Sequence, residues 1–222
     1  MLNIGRTDRV LEIGSGNRPR KRSDVLCDKF IEENTERSGG DSIVIDKRPF
    51  VVADALALPF KDKCFDYVIA SHILEHVDDP HQFISELKRV ACAGYIETPS
   101  ELGEKVFGWS FHKWVVRIED GTIVMRPRTE ASPFGTYFHD SYAHDLRFAE
   151  FVDSHFGDFY VQFEWQRDIQ LRIEQDTSAV VHFNRNMTTV NTRATLKNWS
   201  LSAIQPALKL LLKTMRHFRK FD

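Results

Sequence analysis

Cysteine is too scarce in this chain to organise its fold. Cys27, Cys64 and Cys92 lie far apart in a sequence of 222 residues. They have neither the paired spacing of a zinc site nor the density of a disulfide framework. Long apolar runs are also absent, since no segment reaches the ~20 apolar residues that span a bilayer. The first residues lack a signal-peptide pattern, so we expect a cytoplasmic location.

An excess of charge is missing too. The chain has 30 basic and 32 acidic residues, for a formal net charge of -2. Proteins that bind nucleic acid non-specifically rely on basic charge, so we expect no nucleic-acid partner. The hydrophobic content of 42% is typical of a chain with a sizeable core. The length fits one domain with additions.

Short apolar runs alternate with helical segments along the first half of the chain. This alternation predicts an α/β fold, a Rossmann-like doubly wound and mostly parallel sheet. Strands are predicted near residues 9–13, 24–27, 50–53, 65–70 and 94–98. After the fourth strand, Asp79 can cap a helix whose first residue is Pro80. The apolar face of that helix comprises Phe83, Ile84, Leu87 and Val90.

Residues 101–140 form an insertion that we interpret as a candidate lid over a substrate. Asp120-Gly121 lies between two β-branched runs, which predicts a β-hairpin. Its many aromatic residues favour a small satellite core, with a wall of a substrate pocket as the alternative. His112, Tyr137 and His139 lie in or beside it and are further candidates for a catalytic group, among which the sequence does not choose.

Later segments are predicted more simply. One helix is expected from Ser141 to about His155. Two late strands, 160–165 and 169–173, are expected to be joined by a turn and to suit an antiparallel edge.

The chain is predicted to divide near residue 183. Residues 1–183 are expected to form the domain, and residues 184–222 a polar connection followed by a basic amphipathic helix. Residues 206–221 of that helix have the pattern of a membrane-surface or partner-binding helix. Packing on the sheet with solvated lysines is the favoured interpretation.

A glycine turn and three acids carry the functional prediction. Gly14 and Gly16 follow the first strand directly, and glycine lets a backbone approach a ligand closely. Glu12, Asp28 and Asp54 each end a predicted parallel strand. Ligands of such sheets bind beyond the carboxyl ends of the strands, so a ligand rich in donors is expected there.

Four segments resemble the class I S-adenosylmethionine-dependent methyltransferases of the methyltransferase type 11 group. They are VLEIGSGN (10–17), VVADALALPF (51–60), FDYVIASHILEHVDDP (65–80) and ELKRVACAGYIETPS (86–100). The resemblance implies S-adenosyl-L-methionine as cofactor and methyl transfer to a small-molecule substrate. The acceptor would be an oxygen, nitrogen or carbon atom, with sugar-linked and lipid-linked compounds included.

The resemblance also implies roles for individual residues. The turn of Glu12, Gly14, Ser15 and Gly16 would lie beneath the methionine part of the cofactor. The third glycine of the family is replaced by Arg18. The remaining cofactor contacts would be Asp28 to the ribose, Asp54 with the backbone of Ala55 and Leu56 to the adenine, and Ser71 with His72 to the sulfonium end.

The ribose acid has a competitor. Asp46 ends another apolar run, but it lies only eight residues before Asp54, which is too few for a helical crossover. Asp28 is therefore preferred. Residues 17–23 leave no room for a full helix, so a shortened first crossover is expected. Its basic cluster is a solvated loop or a grip on an anionic substrate, and comprises Arg18, Arg20, Lys21 and Arg22.

Glu75 and His72 are the first choices for a base that removes the acceptor's proton. His76 is an equal candidate for a catalytic or a buried structural role. Two other functions stay open: a non-catalytic S-adenosylmethionine-binding protein, and a zinc hydrolase through His72 and His76, which match H-x-x-E-H. The hydrolase motif needs a helix, and Pro80 follows closely, so no metal site is expected.

Overall fold

A computed structural model describes residues 2–32, 41–129 and 132–175. All of them lie in one compact unit, Met1–Thr177. The predicted polar connection and C-terminal helix, including residues 206–221, lie outside the described residues.

The described part begins with four strands, and its first helix follows the fourth strand. In chain order they are β1 (Val10–Ile13), β2 (Val25–Asp28), β3 (Phe50–Val52), β4 (Phe65–Ser71), α1 (Pro80–Val90), β5 (Ala91–Pro99), α2 (Glu101–Val106), β6 (Trp114–Glu119), β7 (Thr122–Pro127), α3 (Gly135–His144), α4 (Leu146–Ser154), α5 (Phe156–Phe159), β8 (Tyr160–Gln166) and β9 (Gln170–Ile173).

The central sheet has the order β3-β2-β1-β4-β5-β8 within the described residues. Strands β1 to β5 run parallel, and β8 pairs antiparallel with β5. Every residue of β1 is buried, as expected for a parallel strand covered on both faces. The Rossmann-like α/β prediction, with an antiparallel late strand, is confirmed.

The first crossover is short, as predicted. No helix lies between β1 and β2, and the segment consists of turns. Two hydrogen bonds hold it against the start of β1. Asp24 N donates to Val10 O at 2.9 Å, and Val10 N donates to Asp24 Oδ2 at 2.8 Å.

Helix α1 matches the sequence prediction at both ends and on its apolar face. Asp79 accepts a hydrogen bond from Gln82 N, and Pro80 opens the helix. Phe83 and Leu87 are fully buried against the sheet. Lys88 and Arg89 occupy the last turn, where positive charge complements the helix dipole.

The insertion forms the predicted hairpin of β6 and β7. Asp120 and Gly121 have φ angles of 47° and 76°, the two positive values that a type I′ turn requires. A second sheet of the described residues has the order β6-β7-β9. The two late strands therefore diverge: β8 forms the expected antiparallel edge, whereas β9 leaves it and pairs parallel with β7.

The single helix predicted from Ser141 to His155 is wrong, because the chain breaks at Asp145. Its φ and ψ are -107° and 101°, and it ends α3 and begins α4. The Asp145 carboxylate accepts hydrogen bonds from Arg147 N and Phe148 N, as an N-cap does. Leu146, the first residue of α4, is 80% exposed.

Among the helices of the described residues, none combines the length and the apolar character that a membrane crossing requires.

Gly94 gives a test of how closely β4 and β5 are packed. A Cβ at this position would lie 2.5 Å from Val68 O and 2.9 Å from Trp165 Nε1. Because backbone on a paired strand cannot yield easily, we expect Gly94→Ala to lower the free energy of unfolding by about 1–3 kcal/mol. Urea denaturation measures the change. Gly157→Ala is the control, since its Cβ would meet no atom within 4 Å, and equal effects of the two variants would contradict the prediction.

Candidate active site

The turn after β1 opens at the carboxyl edge of the sheet, where the strand order reverses between β1 and β4. Gly14 N and Ser15 N both donate to Cys27 O, at 2.8 and 3.2 Å. Gly14 and Gly16 have φ angles of 66° and 52°. A Cβ on Gly14 would collide with Ile73 at 2.0 Å, whereas one on Gly16 would meet only Gly14 O, at 3.8 Å. The space beside the turn is therefore filled at Gly14 and empty at Gly16.

Glu12 holds the first crossover against β1. Its carboxylate accepts hydrogen bonds from Arg20 N at 2.9 Å and from the Ser23 hydroxyl at 2.5 Å. Burial raises the pKa of Glu12, and these two hydrogen bonds oppose that effect. Glu12, predicted to contact the cofactor, is thus engaged by Arg20 and Ser23 and holds the segment that follows the glycine turn.

Asp28 and Asp46 occupy different surroundings. Asp28 is 9% exposed, and its Oδ2 accepts a hydrogen bond from Gly16 N at 3.0 Å. Asp46 is exposed and lies outside any strand. Hydrogen bonds from the Arg48 side chain and backbone lower the pKa of Asp46 to about 2. Because the Arg48 guanidinium already contacts both Asp46 oxygens, the geometry favours Asp28 as the acid of the glycine turn.

Asp54 follows β3 at the same edge. Its Oδ1 accepts a hydrogen bond from Leu56 N at 2.9 Å, and Lys29 Nζ lies 2.8 Å from its Oδ2. The hydrogen bond from Lys29 lowers the pKa of Asp54. Ala55 and Leu56, predicted to contribute backbone contacts, are half-buried in the turn that follows.

Ser71 and His72 lie where β4 ends. His72 has a φ of 57°, in the left-handed region that few non-glycine residues adopt. Its N–H donates to Glu97 O at 2.7 Å. Arg20 reaches this point from the first crossover, and its Nη2 lies 3.1 Å from Ser71 Oγ and 3.2 Å from Glu97 Oε1. The glycine turn, β4 and β5 are thus joined by one guanidinium.

His72 lies between two carboxylates. Its Nδ1 is 3.3 Å from Glu75 Oε1, and its Nε2 is 3.7 Å from Glu97 Oε1. Burial lowers the pKa of His72, but the contacts with Glu75 and Glu97 outweigh it and leave a raised pKa. Burial raises the pKa of Glu75, and His72 with the further charges of His76 and His112 brings it below its ordinary value.

His76 faces the insertion. Its ring stacks on Phe111 at 5.5 Å and meets the edge of His112 at 4.7 Å. Residues 72–76 are a bend and a turn, not the helix that a zinc-hydrolase H-x-x-E-H motif needs. The hydrolase arrangement through His72 and His76 is therefore absent from the described residues.

The aromatic residues of the insertion largely form the satellite core that the sequence favoured. Phe107 is 3% exposed and packs with Phe159 and Val152. Trp109 and His139 also contact the Phe107 ring. Tyr137 remains 67% exposed.

Sequence reasoning missed two members of this site. Glu97 was not considered, although it lies in a quoted segment at the carboxyl end of a predicted strand, as Glu12 and Asp28 do. Glu104 gave no signal, because its contact with His112 joins a helix to a loop with no motif spacing. Arg20 was noticed only as part of a basic cluster.

Known proteins match this chain over its central part. Residues 26–95 match the family model described as a methyltransferase domain. This part of the chain is therefore similar to methyltransferase domains. The matched residues run from β2 into β5 and include Asp28, Asp54 and the loop from Ser71 to Asp79.

Two curated methyltransferases are similar over short segments. Ajmaline N-methyltransferase of Rauvolfia serpentina is 46% identical over 48 residues, which cover 22% of this chain and 16% of that protein. The 27-O-demethylrifamycin SV methyltransferase of Amycolatopsis mediterranei is 34% identical over 104 residues, covering 42% and 38%. The chain therefore spans well under two thirds of the length of these relatives.

Among solved structures, one similar chain covers more of the sequence. A Haloferax volcanii methyltransferase, solved in complex with a methyltransferase activator, is 17% identical with a TM-score of 0.42. The match covers 72% of this chain and 83% of that one.

The glycine turn has a geometry that fits S-adenosylmethionine, the cofactor that the sequence predicts. A side chain is absent at Gly16, where the space above the turn is open. The buried Ser15 Oγ has no hydrogen-bond partner among the described residues, and the Asp28 carboxylate lies beside the turn. These features suit a ligand that carries both hydrogen-bond donors and acceptors.

Arg20 and Glu97 supply a test of how this edge is held together. Because Arg20→Met leaves the buried Glu97 charge without its guanidinium, we expect a double-mutant cycle with Glu97→Gln to give a coupling of about 1 kcal/mol. The value is modest because the Arg20 side chain is 36% exposed. Urea denaturation of the four proteins measures it.

The control cycle uses Lys105→Met and Glu101→Gln, an i,i+4 pair whose lysine is 67% exposed. Its expected coupling is about 0.3 kcal/mol. A coupling of Arg20 with Glu97 no larger than that of the control pair would mean that the guanidinium does not hold the edge.

Proposed function

We propose that this chain is an S-adenosylmethionine-dependent methyltransferase acting on a small molecule. The observation that carries the proposal is the Asp28 carboxylate beside the open Gly16 turn, at the edge where the sheet order reverses. The match of residues 26–95 to a methyltransferase domain supports it. The similar curated proteins include N- and O-methyltransferases, so an oxygen or a nitrogen acceptor is proposed rather than a specific compound.

The cofactor, when bound, supplies an activated methyl group, so the protein's task is to bind and orient. We assign Asp28 to the ribose, because a carboxylate can accept one hydrogen bond from each of the two ribose hydroxyls. Asp54, with the backbone of Ala55 and Leu56, is assigned to the adenine end. Ser15, Gly16 and Ser71 are assigned to the amino-acid end.

His72 is the side chain that we assign to the acceptor. It is 46% exposed at the end of β4, whereas Glu75 is fully buried. Because a buried carboxylate cannot meet an acceptor in the cleft, Glu75 acts as a positioning residue through His72 Nδ1. In its neutral form, His72 is therefore the group in position to take the proton of a hydroxyl or amine acceptor, and its raised pKa makes that form a stronger base. Tyr160 contacts the His72 ring edge-on at 5.6 Å and limits its rotation.

The insertion at 101–140 is proposed to cover the acceptor. Its backbone is bonded to the loop that follows His72, since Lys113 N donates to Glu75 O at 2.8 Å. Phe134 and Tyr137 are exposed by 65% and 67% and offer apolar contact to an acceptor. A cytoplasmic location, and a membrane or partner contact through residues 206–221, remain predictions from the sequence.

The assignment of the ribose acid is tested by two matched variants. Because Asp28→Asn removes a carboxylate that would accept hydrogen bonds from two ribose hydroxyls, we expect binding of S-adenosylhomocysteine to weaken by about tenfold to a hundredfold. Asp46→Asn should leave the affinity unchanged. Isothermal titration calorimetry measures both, with circular dichroism as a check of folding. Weakening by Asp46→Asn alone would reverse the assignment.

Transfer itself is tested with S-adenosylmethionine carrying a labelled methyl group and a panel of phenols, amines and alkaloid-like acceptors. For an acceptor that is methylated, His72→Gln should lower the rate about a hundredfold, because the proton loses its acceptor, without changing cofactor affinity. His81→Gln, an exposed histidine on α1, is the control. Binding of S-adenosylhomocysteine without transfer to any acceptor would favour the non-catalytic alternative.

A further inference from the structure

Three hydrogen bonds join the insertion to the loop after β4. Lys113 N and Trp114 N donate to Glu75 O, at 2.8 and 3.2 Å. Trp114 Nε1 donates to Val77 O at 2.8 Å. Because His112 directly precedes Lys113, these bonds bring it beside the side chains of Glu75 and His76.

These three side chains converge on one point. Glu75, His76 and His112 each offer a ligand atom, and the three atoms lie within 4.8 Å of one another. Glu75 is fully buried. His72 Nδ1 lies 3.3 Å from its Oε1 without hydrogen-bond geometry, and its Oε2 has no hydrogen-bond partner among the described residues. A buried carboxylate in this state is stabilised by a cation.

His112 is oriented from behind by a second carboxylate. Its Nδ1 forms a short hydrogen bond with Glu104 Oε1, and both side chains are 4% exposed. Arg128 Nε lies 3.5 Å from Glu104 Oε2 and secures that carboxylate in turn. Because Nδ1 is bonded to Glu104, Nε2 is the nitrogen of His112 that can bind a metal ion. A carboxylate behind a histidine is the usual support of a metal ligand, because it fixes the tautomer and the ring.

The ligand set selects the class of ion. Two imidazoles and one carboxylate form a known zinc set, whereas magnesium and calcium prefer oxygen ligands. Ligand atoms around tetrahedral zinc lie about 3.4 Å apart, so the cluster closes with shifts on the order of 1 Å. Three protein ligands leave the fourth position to solvent.

We propose that Glu75, His76 and His112 bind a zinc ion that fixes the insertion to the loop after β4. This site differs from the hydrolase motif, because His72 is not a member and a residue of the insertion replaces it. It also goes beyond the methyltransferase assignment and does not depend on it. The sequence alone predicted no metal here, since His112 lies 36 residues beyond His76.

The test uses the full chain, stripped with a chelator and titrated with zinc chloride by isothermal titration calorimetry. We expect one zinc ion per chain, a rise in melting temperature on zinc addition, and d–d absorption of tetrahedral type after cobalt substitution. His112→Gln should weaken zinc binding at least a hundredfold and abolish the cobalt band, while His81→Gln should behave as the wild type does.

Two further variants test the proposal if His112→Gln does not fold. Glu104→Gln keeps all three ligands and should weaken zinc binding about tenfold to a hundredfold. His76→Gln removes the most exposed ligand, at 16% exposure, and should act like His112→Gln. Failure of the folded wild type to bind zinc in a one-to-one ratio, or equal binding by wild type and all the cluster variants, would overturn the proposal.

Discussion

The pairing of β1 between β2 and β4 is the constraint on which the rest of this structure depends. It buries all four residues of β1 and sets the point at which the strand order reverses. Loops that leave β1 and β4 at the reversal cannot cross the same side of the sheet, so a crevice opens between them. The glycine turn and the His72 loop form its two walls, and Arg20 joins the walls through Ser71 and Glu97.

A second set of contacts builds the acceptor side. The loop after β4 donates and accepts few hydrogen bonds within itself, and it is held instead by the insertion through Glu75 O and Val77 O. The insertion is held in turn by its own aromatic core around Phe107 and by the pairing of β7 with β9. His72, with its positive φ, is therefore positioned by segments from three distant parts of the chain.

Local patterns predicted the elements whose residues interact with near neighbours. The apolar runs of β1 and β4, the capping of α1 by Asp79 and the Asp120-Gly121 turn all depend on a few adjacent residues. The break at Asp145 was missed because an aspartate can either continue a helix or cap a new one through its own carboxylate. The pairing of β9 with β7 was missed because the two strands are far apart in sequence.

The sequence by itself determined the class of the fold and the position of the glycine turn with its acids, and the family resemblance supplied the cofactor. Those features follow from hydrophobic periodicity, from the conformational freedom of glycine and from acids that end strands. Only the tertiary structure decided that Glu97 is paired with Arg20, that Glu75 is fully buried and that His112 meets it. Burial and pairing between distant residues arise from packing, which no local spacing encodes.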